Sequence, residues 1–506
     1  ARIARDARFD GRFFVAVTST RIYCRPICPA RTARRENVRY YRTAEEAAAA
    51  GFRPCLRCRP EAAPGTPAWH GSSSTVSRAL RLISEGALQE GSVADLSARL
   101  GVSARHLDRL FQAHLGASPM AVANTRRLQF AKQLISDSDL PMSHVAAASG
   151  FRSVRRFNDS IRRLYGRPPS ELRRLRPIAL RSRPDEYVFR LPYRPPYDWD
   201  SLLAFLAVRA IPGVEEVVAG AYRRTFALEG RHGILEIRHE KKHEAIEARI
   251  RFPEPVSLLP IVSRLRDVLD LAADVTSISE RFRHDPLLGP LVQRRPGLRV
   301  PGAWDPFELA VRAILGQQVS VAGATTLAGR IARSFGETLD LADAGGLAVV
   351  FPGPHALADA NLIGMPKARA LAIGTLARQF ASEELLPGGP EEEFLTGLGR
   401  VKGVGAWTVE YVAMRALRHP DAFPASDLVL LRSAGRGRAL PVRELQARSE
   451  AWRPWRAYAA IHLWRAAAEM ASEVDDSRER EELAALASPV ASGRSRASDV
   501  PLTAER

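Results

Sequence analysis

At 506 residues the chain is too long for one hydrophobic core, and its formal net charge of +18 points to polyanionic partners. Hydrophobic content of 46% is ordinary for globular protein, and no apolar run reaches membrane length, since "LLAFLAVRAI" is broken by Arg209. Only four cysteines occur, all before residue 60, which excludes a disulfide-framework protein and favours a reducing, cytoplasmic setting with a metal site.

The charge is unevenly spread. Residues 1–176 carry 31 Lys and Arg against 14 Asp and Glu, a net +17, while the remaining 330 residues are close to neutral. Such a field suits a chain steered to the phosphates of nucleic acid. The plainer explanation is an Arg-rich composition on a solvated surface.

The first 62 residues form a compact basic piece. "IYCRPICPA" and "RPCLRC" give the spacing C-x3-C-x26-C-x2-C, two close pairs of the kind that build a tetrahedral zinc site from Cys24, Cys28, Cys55 and Cys58. Zinc keeps thiolates deprotonated and therefore nucleophilic. Arg21, Arg25, Arg31, Arg53, Arg57 and Arg59 crowd the ligands. Two readings stay open on the residues alone: a structural zinc knuckle, or a thiolate brought against a DNA phosphate.

"DARFDGRFF", "IYCRPICPARTARRENVRYY" and "AGFRPCLRC" resemble the zinc-binding N-terminal domain of the Ada adaptive-response proteins. The resemblance implies one zinc ion on the four cysteines. It makes Cys24 the acceptor that takes a methyl group irreversibly from a methylphosphotriester in DNA. It also places Thr20, Arg31 and Arg53 where that family contacts DNA. A "PCHR"-type nucleophile segment is absent, so no O6-methylguanine transfer is expected.

Residues 60–74, rich in Pro, Gly and Ser, read as a linker. A helical segment over 75–176 follows. In "SVADLSARLGVSARHLDRLFQAHLGASP", Ser92 and Ser103 are N-caps and Gly101 makes the turn. Arg105, His106 and Arg109 lie on the exposed side of the second helix, where a recognition helix meets the major groove. The pattern returns in "SHVAAASGFRSVRRFNDSIRRLYGRPPSEL", with Gly150, Ser153 and the candidate readers Arg155, Arg156 and Asn158. Two such units joined by a helix resemble the AraC-type DNA-binding domain, which also follows the zinc domain in Ada.

After a second linker at 176–184, residues 185–285 mix β-rich runs such as "YVFRLPY" with helical ones, and residues 286–472 are helical with glycine turns. The polar tail from 473 to 506 is expected to be disordered. In "LGRVKGVGAWTVEYVAM" a hairpin over 401–405, with Gly403 and Gly405, allows a tight turn whose backbone N–H groups face a DNA phosphate. An isolated carboxylate, Asp427, follows in "FPASDLVLL". It either caps the helix after it or stabilises an oxocarbenium-like centre as a glycosidic bond breaks.

A hairpin followed by Asp resembles the helix-hairpin-helix DNA glycosylases. "YRPPYDWDSLLAFLAVRAIPGVEEV", "FELAVRAILGQQVSVAGA" and "WRPWRAYAAIHLW" narrow the resemblance to the AlkA type. It implies Asp427 as the catalytic carboxylate and Phe205, Trp407, Tyr411 and Trp464 as the aromatic base pocket. No cofactor is expected for this half. Trp407 stands where strand-cutting relatives carry a Schiff-base Lys, so a monofunctional glycosylase is expected. Gln318 occupies the position of the wedge that fills the gap left by a flipped base, and Lys402 is read as a phosphate contact.

The expected fold class is multidomain α+β, mostly α: a zinc domain, a double helix-turn-helix, a mixed α/β subdomain and an all-α glycosylase core. The expected function is repair of alkylated DNA, releasing 3-methyladenine-like bases, joined to a methylation-sensing transcriptional regulator in a bacterial cytoplasm. The alternative is a methylation-activated transcription factor with an inactive glycosylase. Expected partners are double-stranded DNA and RNA polymerase, with no membrane, and the chain is expected to be a monomer.

Overall fold

The computed structural model describes Phe9, Pro60 and residues 13–58, 74–174 and 186–470, apart from 85, 139, 340, 342 and 343. Both expected linkers and the expected disordered tail fall almost wholly outside the described residues. Among the described residues no helix is long and apolar enough to cross a membrane.

The N-terminal sheet has the order β3-β1-β2-β4, from β1 (Phe14–Val17), β2 (Ile22–Cys24), β3 (Val38–Tyr41) and β4 (Arg53–Pro54). β2 and β4 are parallel, with Tyr23 opposite Pro54, and the Cys55 N–H donates to the Tyr23 carbonyl at 2.9 Å. That pairing carries Cys24 and Cys55 to the same end of neighbouring strands. Phe14, Ala16, Tyr23, Ala44, Ala47 and Phe52 form the small core beneath.

Each helix-turn-helix unit is set by local chemistry. Helix Val93–Arg99 starts on a capping box, with Ser92 and Asp95 satisfying each other's backbone N–H groups. Gly101 (φ +70°) turns the chain, and Ser103 caps helix Ala104–Leu115. In the second unit helix Met142–Ala148 ends before Gly150 (φ +74°), and Ser153 caps helix Val154–Tyr165. The 19-residue helix Pro119–Asp137 joins the two units.

The larger sheet is antiparallel throughout in the order β5-β9-β8-β7-β6, built from β5 (Glu186–Pro192), β6 (Glu215–Val218), β7 (Ala221–Leu228), β8 (Arg231–Glu240) and β9 (Ala245–Arg251). Beyond it lie the helices of the C-terminal half. Among them are Pro306–Leu315, Val321–Phe335, Lys367–Ala381, Glu391–Arg400, Ala406–Arg415 and Leu428–Ala434, with a final helix over 456–470.

The parts do not hang as separate beads. The second helix-turn-helix unit and the large sheet share one hydrophobic cluster that runs from Phe130, Leu134 and Phe157 to Phe189, Leu235 and Ile250. Phe130 stacks on Phe189 at 6.1 Å between ring centroids. The N-terminal piece in turn leans on the C-terminal ends of helices Ala104–Leu115 and Val154–Tyr165. The Thr43 hydroxyl donates to the Leu115 carbonyl at 3.1 Å, and Arg53 lies against Gly166, the cap of the second recognition helix.

Candidate metal, DNA-binding and catalytic sites

The Sγ atoms of Cys24, Cys28, Cys55 and Cys58 all lie within 4.8 Å of one another, with Cys28 and Cys55 at 3.9 Å. A tetrahedral zinc–thiolate centre places its sulfurs about 3.8 Å apart, so the donor set fits that ion in chemistry and size. The Arg25 N–H donates to the Cys58 sulfur at 3.2 Å, and its guanidinium donates to the Cys58 carbonyl at 3.1 Å. Cys55 and Cys58 are buried, whereas Cys24 and Cys28 are half-exposed. Thr20, Arg31 and Arg53 are exposed, and Arg53 lies against Gly166.

On the first recognition helix Arg105 and Arg109 are exposed and His106 is half-buried, its Nδ1 bonded to the Arg109 guanidinium at 2.9 Å. On the second, Arg155 and Arg156 are exposed and Asn158 is half-buried beside the wholly buried Phe157. Both sets occupy the first two turns after the serine cap.

The C-terminal site is assembled by three loops. Val401–Gly405 closes on a Val404 N–H to Val401 carbonyl bond of 2.9 Å. Gly403 sits at φ +97°, which an L side chain resists, and a Cβ there would also press on Ala372. The expectation for Gly405 is corrected in part: its φ of −96° is ordinary, and it serves as the N-cap position of helix Ala406–Arg415. The Gln317 side-chain amide donates to the Gly403 carbonyl at 2.9 Å, and the Gln317 backbone carbonyl accepts from the Arg369 guanidinium at 2.5 Å. These bonds fix the neighbouring Gln318, exposed at φ +58°, relative to the hairpin. Lys402 is exposed on the hairpin.

Asp427 satisfies the capping reading and more. Its Oδ1 accepts the Leu430 N–H at 2.9 Å as an N-cap and the Trp464 indole N–H at 3.1 Å. Its Oδ2 accepts the Trp407 indole N–H at 2.8 Å. Three donors from three elements therefore hold one half-buried carboxylate. Tyr411 stacks on Trp407 at 5.0 Å with an interplanar angle of 11° and meets Trp464 edge-on at 6.1 Å. Trp407, Tyr411 and Trp464 thus come together beside Asp427, whereas Phe205 meets the group only through Arg415, which packs over its ring and that of Tyr411.

Two arginines of this site have no place in the motif reading. Arg415 lies one helical turn after Tyr411, only 6% exposed, and packs over both Phe205 and Tyr411. Arg209 lies one turn after Phe205, with its guanidinium 3.8 Å from that ring's centroid. Burial alone would raise the Tyr411 phenol. The charges of Arg415 and Arg209, the Arg415 hydrogen bond and the charge of Arg312 outweigh it and pull the phenol below its usual range. An arginine four residues after an aromatic in an apolar helix was the available sequence signal.

A cysteine cluster, paired helix-turn-helix units, and a hairpin facing a carboxylate among indoles together define the class in which an Ada-type regulatory half is joined to an AlkA-type glycosylase fold. Residues 1–61 match the metal binding domain of Ada, 96–175 a helix-turn-helix domain, and 188–305 the AlkA N-terminal domain. A Mycobacterium tuberculosis protein named "Probable bifunctional transcriptional activator/DNA repair enzyme AlkA" is 42% identical over 470 residues, covering 91% of this chain and 94% of that one. The chain belongs to that family. It is also similar to Escherichia coli DNA-3-methyladenine glycosylase 2, at 35% identity over 55% of this chain and 96% of that one. The Escherichia coli bifunctional transcriptional activator/DNA repair enzyme Ada matches at 46% over 24% of this chain and 32% of its own.

Proposed function

We propose that the chain senses and repairs alkylated DNA on one polypeptide. Residues 1–62 are the methyl-accepting zinc domain, 75–176 the helix-turn-helix DNA-binding domain, and 185–285 with 286–472 the glycosylase. The observation that carries the glycosylase reading is Asp427, held by Trp407 and Trp464 beside Tyr411.

An alkylated purine such as 3-methyladenine is cationic and already a good leaving group. The aromatic walls Phe205, Trp407, Tyr411 and Trp464 attract a cation through their π-faces. The base must leave the duplex to reach them, with Gln318 filling the gap and Lys402, Gly403 and Gly405 holding the backbone phosphate. As the C1′–N bond breaks, positive charge grows on the sugar. The fixed Asp427 carboxylate stabilises that charge until water adds to C1′. No amine stands beside the site at position 407 to form a Schiff base, which supports a monofunctional enzyme leaving an abasic site.

In the zinc domain, bound Zn2+ would keep the four sulfurs anionic. Cys24 Sγ then attacks the methyl carbon of a phosphotriester: the S–C bond forms, the C–O bond breaks, and a phosphate diester anion departs. Cys24 becomes a neutral thioether, and one negative charge is removed from a surface lined by Thr20, Arg31 and Arg53. DNA affinity should rise accordingly. Promoter contacts through Arg105, His106, Arg109, Arg155, Arg156 and Asn158 would bring a methylated protein to RNA polymerase as an activator.

The deciding experiment treats duplex DNA with a methylating agent and measures free bases released by the wild type and by Asp427→Asn. Release by the wild type alone supports the glycosylase. Release by neither, from protein that still binds DNA, leaves the alternative of a methylation-activated transcription factor with an inactive glycosylase domain.

A further inference from the structure

A short loop, Gly316 to Val319, leads from helix Pro306–Leu315 into helix Val321–Phe335. Both of its ends are fixed. The Gly316 N–H donates to the Arg312 carbonyl at 3.0 Å, and the Ser320 hydroxyl accepts the Gly323 N–H at 3.1 Å as the cap of the next helix. Between these anchors Gln317 is half-buried, whereas Gln318 and Val319 are exposed. Gln318 holds φ +58°, a conformation that a glutamine keeps only where its surroundings impose it.

The neighbouring Gln317 supplies that constraint. Its side-chain nitrogen lies 2.9 Å from the Gly403 carbonyl and 3.2 Å from the Thr408 hydroxyl oxygen. A backbone carbonyl only accepts, so the atom facing it is the amide nitrogen, whose two protons match the two acceptors. The Gln317 backbone carbonyl accepts from Arg369 on helix Lys367–Ala381, whose Ala372 lies against Gly403. Thr408 is buried and follows Trp407, the residue whose indole donates to Asp427 at 2.8 Å. One amide therefore ties the gap-filling loop to the hairpin on one side and to the helix that holds the carboxylate on the other.

We propose that Gln317 is a positioning residue that makes gap filling by Gln318 conditional on the hairpin's grip of the DNA backbone. The inference rests on the glycosylase reading above and deepens it. Gln317 spends its amide on protein groups and acts on the DNA through Gln318. A hairpin seated on a phosphate fixes the Gly403 carbonyl, and through it the Gln317 amide and the backbone that aims Gln318. A flipped base is then held out of the stack only where the hairpin is already engaged. Without the tie the hairpin still binds duplex DNA, but Gln318 relaxes to negative φ and its side chain turns from the gap. Base release suffers and duplex affinity does not.

The test uses the full chain, with methylated duplex for single-turnover release of 3-methyladenine and unmodified duplex of the same sequence for binding. Gln317→Met keeps the length of the side chain, adds no charge beside the DNA and removes both donors. It should lower release at saturating protein about 10-fold, equivalent to ~1.4 kcal/mol and within what two hydrogen bonds contribute. Affinity for the unmodified duplex should stay within about 2-fold, the split expected of a group that acts after binding. Gln318→Gly removes both the gap-filling side chain and the cost of the positive φ, so adding Gln317→Met to it should lower release by less than about 2-fold further. If Gln317→Met melts early, Thr408→Val removes one acceptor and should lower release about 3-fold with duplex affinity unchanged. Equal losses with and without Gln318→Gly, or a fall in duplex affinity that matches the fall in release, would make Gln317 a structural tie of the hairpin only and overturn the proposal. Full release by Gln318→Gly alone would overturn it too. Release by the wild type that Gln317→Met leaves unchanged would sink this proposal and keep the glycosylase, whereas no release by the wild type would overturn both.

Discussion

Trp407 donates its indole N–H to Asp427 at 2.8 Å, tying the second residue after the hairpin to the residue that opens helix Leu428–Ala434. On the glycosylase reading, this bond would hold DNA gripped by the hairpin in register with the carboxylate. Asp427→Asn keeps the helix cap, because Asn caps as well as Asp, but its amide nitrogen cannot accept the Trp407 indole N–H, so a stability loss of about 1–3 kcal/mol is expected. Base release should fall at least ~100-fold, the size expected for removing a preorganised charge. Melting curves and single-turnover release on the same protein check both halves. Release unchanged in the variant would show capping to be the larger role.

Zinc should be a folding ligand for the N-terminal sheet. Among the described residues six buried side chains make its core, too few to hold four thiols together unaided. Cys28→Ser should lower bound zinc, measured by metal analysis, and expose the sheet to proteolysis. Base release should persist within about 3-fold, since the glycosylase site draws no residue from that sheet. With intact protein and methylated DNA, mass spectrometry of peptides should find one added methyl on Cys24 and none on the buried Cys55 and Cys58. Methyl on Cys28 instead would reassign the acceptor.

The shared core predicts that the regulatory and repair halves melt together. Phe130 belongs to the helix linking the two helix-turn-helix units, yet it stacks on Phe189 of β5. Phe130→Ala should cost about 3–5 kcal/mol. A single calorimetric transition moved downward as a whole is expected. Two transitions, of which only one moves, would show independent halves.

What could be read from the chain was whatever lies in short local patterns. Cys24, Cys28, Cys55 and Cys58 declare a site by spacing, and Ser92, Gly101 and Ser103 announce a helix, a turn and a helix through caps and a positive φ. Asp427 was visible as a carboxylate, but its two roles could not be separated until the indoles of Trp407 and Trp464 were seen to share it with the cap. Contacts between distant segments were not legible. Nothing in the sequence around Phe130 names Phe189 as its partner, and the bond from Thr43 to the Leu115 carbonyl spans 72 positions. Arg415 and Arg209 escaped for a different reason: the motif reading looked for aromatics, and a buried guanidinium behind them has no motif of its own.

His462 gives the fold an acid limit. It lies 5% exposed on the final helix, two residues before Trp464, and burial pushes its pKa down to about 4 against an ordinary 6.5. The unfolded chain therefore binds a proton between pH 6.5 and 4 that the folded chain refuses. The contribution of His462 is fully present above about pH 6.5 and is lost as pH falls toward 4. Lowering the pH from 7 to 5 should reduce stability by roughly 2 kcal/mol from this residue. The loss should be felt first at the helix that positions Trp464 against Asp427. His462→Gln should flatten the profile in chemical denaturation between pH 5 and 7, even if it lowers stability throughout. An unchanged slope would place the acid sensitivity in other groups.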